Sequence, residues 1–520
     1  MGFRGMLAAA TLAVGLVAAP VVSAQETPAQ GTPAPATPAP AGTAPASTTR
    51  EQAVVGMVLE PPNLDPTGGA AAAIAEVTYA NLFEGLTRID QNGQVQPGLA
   101  TSWTVSDDGL TYTFQLRRGA TFHDGTKFDS EAVKFSLDRA RAPESTNPQK
   151  GYFDAIKSVD TPAADQVVVT LSHPDGLFLF DMGLPAAVIV APNTAATNAT
   201  QPVGTGPFRF TEWVPGDHVT LDRTDAYAGD QPKLKRVIFR FVSDPAAAAA
   251  AVLSGDIDAF PNMPAPETLD QFKADPRFVV EIGTTAGETI MAVNHRRKPF
   301  QDVRVRRALA MAIDRQALVD GAMYGYGTPI GSHFAPYEPA YKDLTGAYPY
   351  DPAKAKALLA EAGYPDGFKA TLKLPPPGYA RRGGEVIQAQ LAEIGVEVEL
   401  IPVEWAQWLD QVFKGYDYDM TIVSHTEPLD IGIYARGKDK YYFGYDNPAF
   451  NQVMQQLNAA VDPEQRRALY QEAQQILSDD EAAIFLFQLA KTGVHNAKLM
   501  GLWKNSPFAA NDMTGVYWAE

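Results

Sequence analysis

No cysteine occurs anywhere in the 520 residues. That excludes disulfides, a thiolate nucleophile, Cys-based metal sites and a lipid-modified cysteine behind an export signal. Histidine is scarce, and His123, His173, His218, His295, His333, His425 and His495 lie far apart. No two stand at helical or strand spacing, so neither a metal site nor a cofactor is expected. Positive charge is in deficit, with 42 Lys and Arg against 60 Asp and Glu and a net charge of −18. Such a body repels phosphate backbones, which argues against nucleic-acid binding and for simple solubility. After the first 24 residues no uncharged apolar run is long enough to span a bilayer.

Catalytic motifs are missing too. There is no His-Glu-x-x-His, no Gly-x-Ser-x-Gly elbow and no Walker-type phosphate loop. Gly204-Thr205-Gly206 lacks the third glycine of a dinucleotide fingerprint and precedes a strand rather than a helix, so it reads as a turn. The carboxylate pairs Asp107-Asp108 and Asp479-Asp480 read as solvated surface. The chain is therefore expected not to be an enzyme.

What is present begins at the N-terminus. Arg4, the apolar stretch Leu7 to Ala19 and the small residues of Val22-Ser23-Ala24 predict a cleaved secretory signal peptide over 1–24. Its removal takes Arg4 away and leaves the mature chain at −19, one less than −18. Residues 25–50, Pro/Ala/Thr-rich with six prolines, predict an extended disordered spacer. About 470 residues remain, enough for two or three domains. In them strands and helices alternate, which predicts a mixed α/β architecture. Thr111 to Leu116 alternates cleanly, and Val167–Leu171, Pro207–Glu212, Val219–Arg223, Val237–Phe241, Ala370–Leu374 and Val396–Ile401 also read as strands. Asp244-Pro245, Asp351-Pro352 and Asp462-Pro463 each place a cap residue and then proline at a helix start.

A series of blocks then carries a resemblance. It runs from Asn63-Leu64-Asp65-Pro66 and Tyr79 to Leu86, through Gln96 to Trp103 and Ser106 to Phe114, to Leu116 to Gly125. Gly204 to Phe208, Leu253 to Asp258, Asn294 to Phe300, Val305 to Leu309, Ala312 to Arg315 and Tyr350 to Tyr364 continue it. In order and spacing they resemble family 5 of the bacterial extracellular solute-binding proteins, the dipeptide, oligopeptide and nickel binders. The likeness spans essentially all of 51–520.

The resemblance implies a two-lobed periplasmic binding protein fold of the class II type, with a hinge-linked cleft. Lobe I would occupy 51–288, with an extra subdomain within about 87–200, and lobe II 289–490. Residues 491–520 would return to lobe I, and Thr289 to Asn294 and the region near Lys491 would be the hinge crossings. It also implies a periplasmic monomer that catches a small, peptide-like solute and hands it to the permease subunits of an ABC transporter.

Matching residue by residue, the family's carboxylate-binding Arg falls on Leu374 and its amine-binding Asp on Glu427, while the aromatic before that Asp is Ser424. One anchor is thus kept and one is missing, which disfavours a free dipeptide and leaves longer peptides and other amine-bearing, opine or sugar solutes open. The candidate solute-binding residues are Glu427, His425, Trp405, Tyr442, Asn294, Thr205 and Gly206. Trp405 reads equally as core, Asn294 equally as a turn residue, and the Tyr441-Tyr442-Phe443 cluster as a cleft wall or as packing. A metal-chelate receptor of the nickel type, with His425 as ligand, is the second reading. A periplasmic hydrolase with an unrecognised site, and a receptor read by a chemosensor, complete the alternatives.

Overall fold

The computed structural model describes residues 50–69 and 71–520. The expected signal peptide and, Arg50 apart, the expected spacer lie outside the described residues. The strands expected from alternation form within a residue or two of their anticipated ends. In Thr111–Leu116, Tyr112, Phe114 and Leu116 are buried while Gln115 is exposed, the two-residue period of a half-buried strand. With Ala100–Val105, Gln166–Leu171 and Ile156–Ala163 it makes a four-stranded antiparallel sheet, covered by the helix Ser130–Arg141.

The capping signals are satisfied as well. The Asp244, Asp351 and Asp462 carboxylates accept from the backbone N–H of Ala247, Lys354 and Gln465, opening the helices Pro245–Ser254, Pro352–Glu361 and Pro463–Asp480.

Thr87–Ile89 with Val95–Pro97 and Leu499–Met500 with Tyr517–Trp518 make two-stranded ladders, and eleven further strands join one mixed sheet. Its order is Val396–Pro402, Phe368–Leu374, Met420–His425, Phe278–Val293, Ile484–Asn496, Ala259–Phe260, Gln52–Met57, Arg236–Phe241, His218–Arg223 and Phe208–Val214. Gly327–Pro329 adds to Ile484–Asn496 off this path. Phe278–Val293 and Ile484–Asn496 run antiparallel along most of their length. Their pairing holds from Phe278 to Thr284 and resumes at Glu288, with a register shift between. Thr285 fills the gap, its hydroxyl donating to the Leu489 carbonyl at 2.7 Å and accepting from the Gly287 N–H at 3.0 Å.

The cores divide at the same place. Beyond the shift, Ile290 and Ala292 pack with Val423 on one face of the sheet, and Met291 and Val293 pack with Met420 and Ile422 on the other. Before it, strand Gln52–Met57 packs with Phe208, Val237 and Phe239, and with Leu499, Met513 and Trp518 from the end of the chain.

Two arginines secure the far body. A helix leaves its last carbonyls without intrahelical partners, and the helix Pro463–Asp480 runs straight into the buried Glu481. Arg306 donates to the Asp480 carbonyl at 2.7 Å, to Glu481 at 3.0 Å and to Phe300 at 2.9 Å, and Arg307 donates to Asp479 at 2.6 Å. Glu481, with φ 43°, turns the chain towards the strand Ile484–Asn496.

Burial pushes the Glu481 carboxyl up to about 8, although Arg315 and Arg306 act against the shift. A carboxyl raised on folding favours the folded state fully below its ordinary pKa of 4.5 and loses that contribution as pH rises through about 8. Glu481→Gln is therefore expected to gain stability relative to the parent as pH rises from 5 to 8.5, read from urea midpoints at each pH. A difference that stays constant over this range would refute the assignment.

Candidate functional site

Opposite the end of strand Met420–His425 lies a cleft of about 780 Å³, its open mouth included. One wall is apolar, built by Pro66, Ile74, Tyr152, Leu184 and Phe508 from four separate stretches of chain. The loop Thr426–Pro428 supplies the other. This loop ends at Leu429, whose φ of 58° puts a leucine in the left-handed region, and such strain persists only where the surroundings impose it. Glu427 is exposed and is the one charged side chain among the described residues lining the cleft. Burial, then the charges of Asp181 and Glu427, hold the Tyr152 phenol above its ordinary range, so it remains a hydrogen-bond donor there. An apolar wall facing a single carboxylate and a phenol suits a solute with an apolar body and a cationic or amide N–H end.

The other expected residues lie elsewhere. Trp405 is 41% exposed, edge-on to Trp408, and is not among the lining residues. Tyr442 is fully buried in the core with Trp408 and Phe443. Asn294 is buried too, and its amide donates at 3.0 Å to the carbonyls of both Tyr416 and Tyr418, tying two stretches of backbone together. Leu374, at the position of the missing anchor, is buried in the core against Gly384.

Thr205 and Gly206 are part of a clamp. His123 donates its backbone N–H to the Gly204 carbonyl at 2.9 Å and sets Nε2 2.9 Å from that of Gly206, while the Gly206 N–H reaches Leu82 at 3.0 Å. The backbones approach so closely that a Cβ on Gly206 would run into the Asn81 carbonyl. Gly206→Ala is accordingly expected to destabilise the chain by about 1–3 kcal/mol, measured by urea denaturation. A variant as stable as the parent would show that the loop can withdraw.

His425 turns away from the cleft, into a cluster that no short-range spacing announces. Its Nδ1 is 3.3 Å from one oxygen of Asp430, whose other oxygen is 2.7 Å from His333 Nε2. Tyr442 Oη stands 2.9 Å from His425 Nε2, and Tyr434 Oη 3.4 Å from His333 Nδ1. Burial opposes ionisation of Asp430, but the imidazoles, His333 foremost, outweigh it and hold the carboxylate below its usual range. The carboxylate thus accepts from both rings and each ring's outer nitrogen accepts from a tyrosine. Glu288, directly across the ladder from His425, is held well above its ordinary range by burial and then by the charge of Asp430.

Comparison with known proteins gives these features a context. The model of "Bacterial extracellular solute-binding proteins, family 5 Middle" matches residues 94–429. The glutathione-binding protein GsiB of Salmonella paratyphi A is 32% identical over 461 residues, covering 85% of this chain and 89% of its own. Its counterpart in Escherichia coli K12 is 30% identical over 464 residues, covering 85% and 89%. Among solved structures, the periplasmic binding protein DppA from Helicobacter pylori in complex with the peptide STSA superposes with a TM-score of 0.77 at 25% identity, covering 91% of this chain and 99% of that one. With a mixed α/β fold matching two-lobed binding proteins and relatives matched over most of their length, the chain belongs to family 5 of the bacterial extracellular solute-binding proteins, the receptors, rather than enzymes, of ABC importers.

Proposed function

We propose that this receptor captures an amine-bearing, peptide-like small solute in the cleft beneath Glu427 and delivers it to the permease of an ABC importer. The observation that carries the reading is the lone carboxylate facing an apolar wall, with no Lys, Arg or His among the described lining residues. A buried ammonium needs such a partner, whereas a free carboxylate on the solute would find no cation there. The glutathione and peptide named for relatives support a peptide-like cargo. A longer peptide, an amide or an ester of an amino acid meets both demands better than a free dipeptide does.

In this reading the lobes are roughly residues 51–288 and 289–490, with 491–520 returning to the first. Thr285 to Gly287 is the segment that flexes, because its pairing with the strand Ile484–Asn496 is interrupted there, while Gln488 and Leu489 opposite stay paired with Gly327–Pro329. The chain works as a monomer in the periplasm after loss of its signal peptide. His425 carries the metal-chelate reading, and its ring lies against Asp430 and Tyr442 rather than the cleft, so that reading is not favoured.

Native mass spectrometry of protein taken from its own periplasm, followed by denaturing release, tests the proposal. A discrete released peptide or amine that also raises the melting temperature of stripped protein supports it. Protein without cargo that gains no thermal stability across peptide, opine, sugar and metal-chelate panels overturns the cargo class.

A further inference from the structure

We infer that His333, His425, Asp430 and Glu288 form a resident site for one divalent transition-metal ion of the zinc class, which ties the Glu427 loop to the strand Phe278–Val293. The four residues come from three stretches, at 288, 333 and 425–430, and only the fold assembles them. Candidate ligand atoms of His333, His425 and Asp430 lie within 4.8 Å of one another, while Glu288 stands outside that group and moves in to complete it as the fourth ligand. Four ligands at about 2.0–2.2 Å from zinc stand roughly 3.3–3.5 Å apart. The observed separations of 2.7 and 3.3 Å therefore need only a slight opening to admit an ion.

Glu288 is the independent pointer. It is 4% exposed and its Oε2 has no hydrogen-bond partner among the described residues. It pairs directly with His425 across the ladder, and residues so opposed project from the same face of a sheet. It also borders, together with His333 and Asp430, a gap too narrow to hold a water molecule. Glu338 borders this gap as a third carboxylate, and no Lys or Arg does among the described residues. Buried carboxylates gathered without a cationic side chain are the charge pattern that a divalent ion completes.

The surroundings suit such an ion. With Nε2 of His333 and Nδ1 of His425 on the metal, each outer ring nitrogen carries the proton and donates to a tyrosine hydroxyl, Tyr434 and Tyr442 respectively. That outer hydrogen bond fixes the tautomer and orientation of a metal-bound imidazole. Two imidazoles and two carboxylates are a donor set suited to Zn²⁺ and poorly suited to Ca²⁺ or Mg²⁺. Asp430 lies three residues beyond Glu427, so the ion would position the cleft carboxylate. It is a fixture of the protein and not its cargo, and the inference stands whatever solute the cleft takes.

The test uses the full chain, stripped with chelator and shown by circular dichroism to be folded. Zn²⁺ is titrated calorimetrically, and Co²⁺ is followed by visible absorption. One ion per chain and the intense d–d bands of four-coordinate Co²⁺ are expected. Glu288→Gln keeps the size of the side chain and removes one negative charge, and is expected to weaken Zn²⁺ binding about tenfold or more. Asp430→Asn should abolish the Co²⁺ spectrum. Folded parent protein that takes up neither ion overturns the site, leaving a proton-bridged His–Asp–His network. Unchanged Zn²⁺ affinity in Glu288→Gln overturns the assignment as stated.

Discussion

Glu427→Gln is expected to lower the affinity for the co-purified amine-bearing solute by about 30-fold or more and to leave the solute-free melting temperature where it was. The first half follows from desolvation. Removing one partner of a buried charge pair at an interface typically costs about 2–5 kcal/mol, and no other charged side chain lines the described cleft to take over. The second half follows from exposure. Apart from an accepted hydrogen bond from the Thr426 N–H at 3.3 Å, the Glu427 carboxylate has no hydrogen-bond or ion-pair partner among the described residues, and such surface changes usually stay within about 0.5 kcal/mol. Titration calorimetry of parent and variant decides it. Equal affinities would move the amine site elsewhere, and a large fall in melting temperature would recast Glu427 as structural.

Arg306→Ala is expected to destabilise the fold by about 2–4 kcal/mol, since each backbone carbonyl left buried without a donor costs about 1–3 kcal/mol. Its guanidinium serves carbonyls of Phe300, Asp480 and Glu481, and alanine leaves them buried without donors. Arg306→Lys, with one compact ammonium in place of a fork, should fall between the two. Urea midpoints followed by tyrosine and tryptophan fluorescence measure the effect. A loss below about 1 kcal/mol would mean that water or a shifted side chain takes over, and the clamp would have to be abandoned.

The local signals were legible in the sequence and the non-local ones were not. Asp244, Asp351 and Asp462 cap helices because a cap needs only the next three residues. Periodicity missed Gln52–Met57, Ala100–Val105, Ile156–Ala163 and Met420–His425, and also the two longest strands, Phe278–Val293 and Ile484–Asn496. Residues 290–293 and 482–487 are buried on both faces, so they form unbroken apolar runs instead of an alternation. Glu427 was reachable only through resemblance, since nothing in Thr426-Glu427-Pro428 reveals that Ile74, Tyr152 and Phe508 stand opposite. Tyr442, chosen as one of three consecutive aromatics, is packed inside, because an irregular stretch escapes the alternation of a strand. His333 and Asp430 were invisible as partners of His425, being separated from it in sequence or from a class of residue common on surfaces.

The C-terminal return carries a consequence for the order of events during synthesis. Trp518 donates its indole N–H to the Gln52 carbonyl at 2.8 Å, and Leu499, Met513 and Val516 complete the core that strand Gln52–Met57 begins. Ile484–Asn496 also supplies the pairing edge for Phe278–Val293. The first body to leave the ribosome therefore lacks a closed interior until the last thirty or so residues arrive, a case of late, long-range closure of the slowest-folding kind. In a nascent chain stalled before residue 484 the strands Gln52–Met57 and Phe278–Val293 should remain protease-sensitive, whereas the four-stranded sheet, whose core lies within residues 86–191, can gain protection on its own.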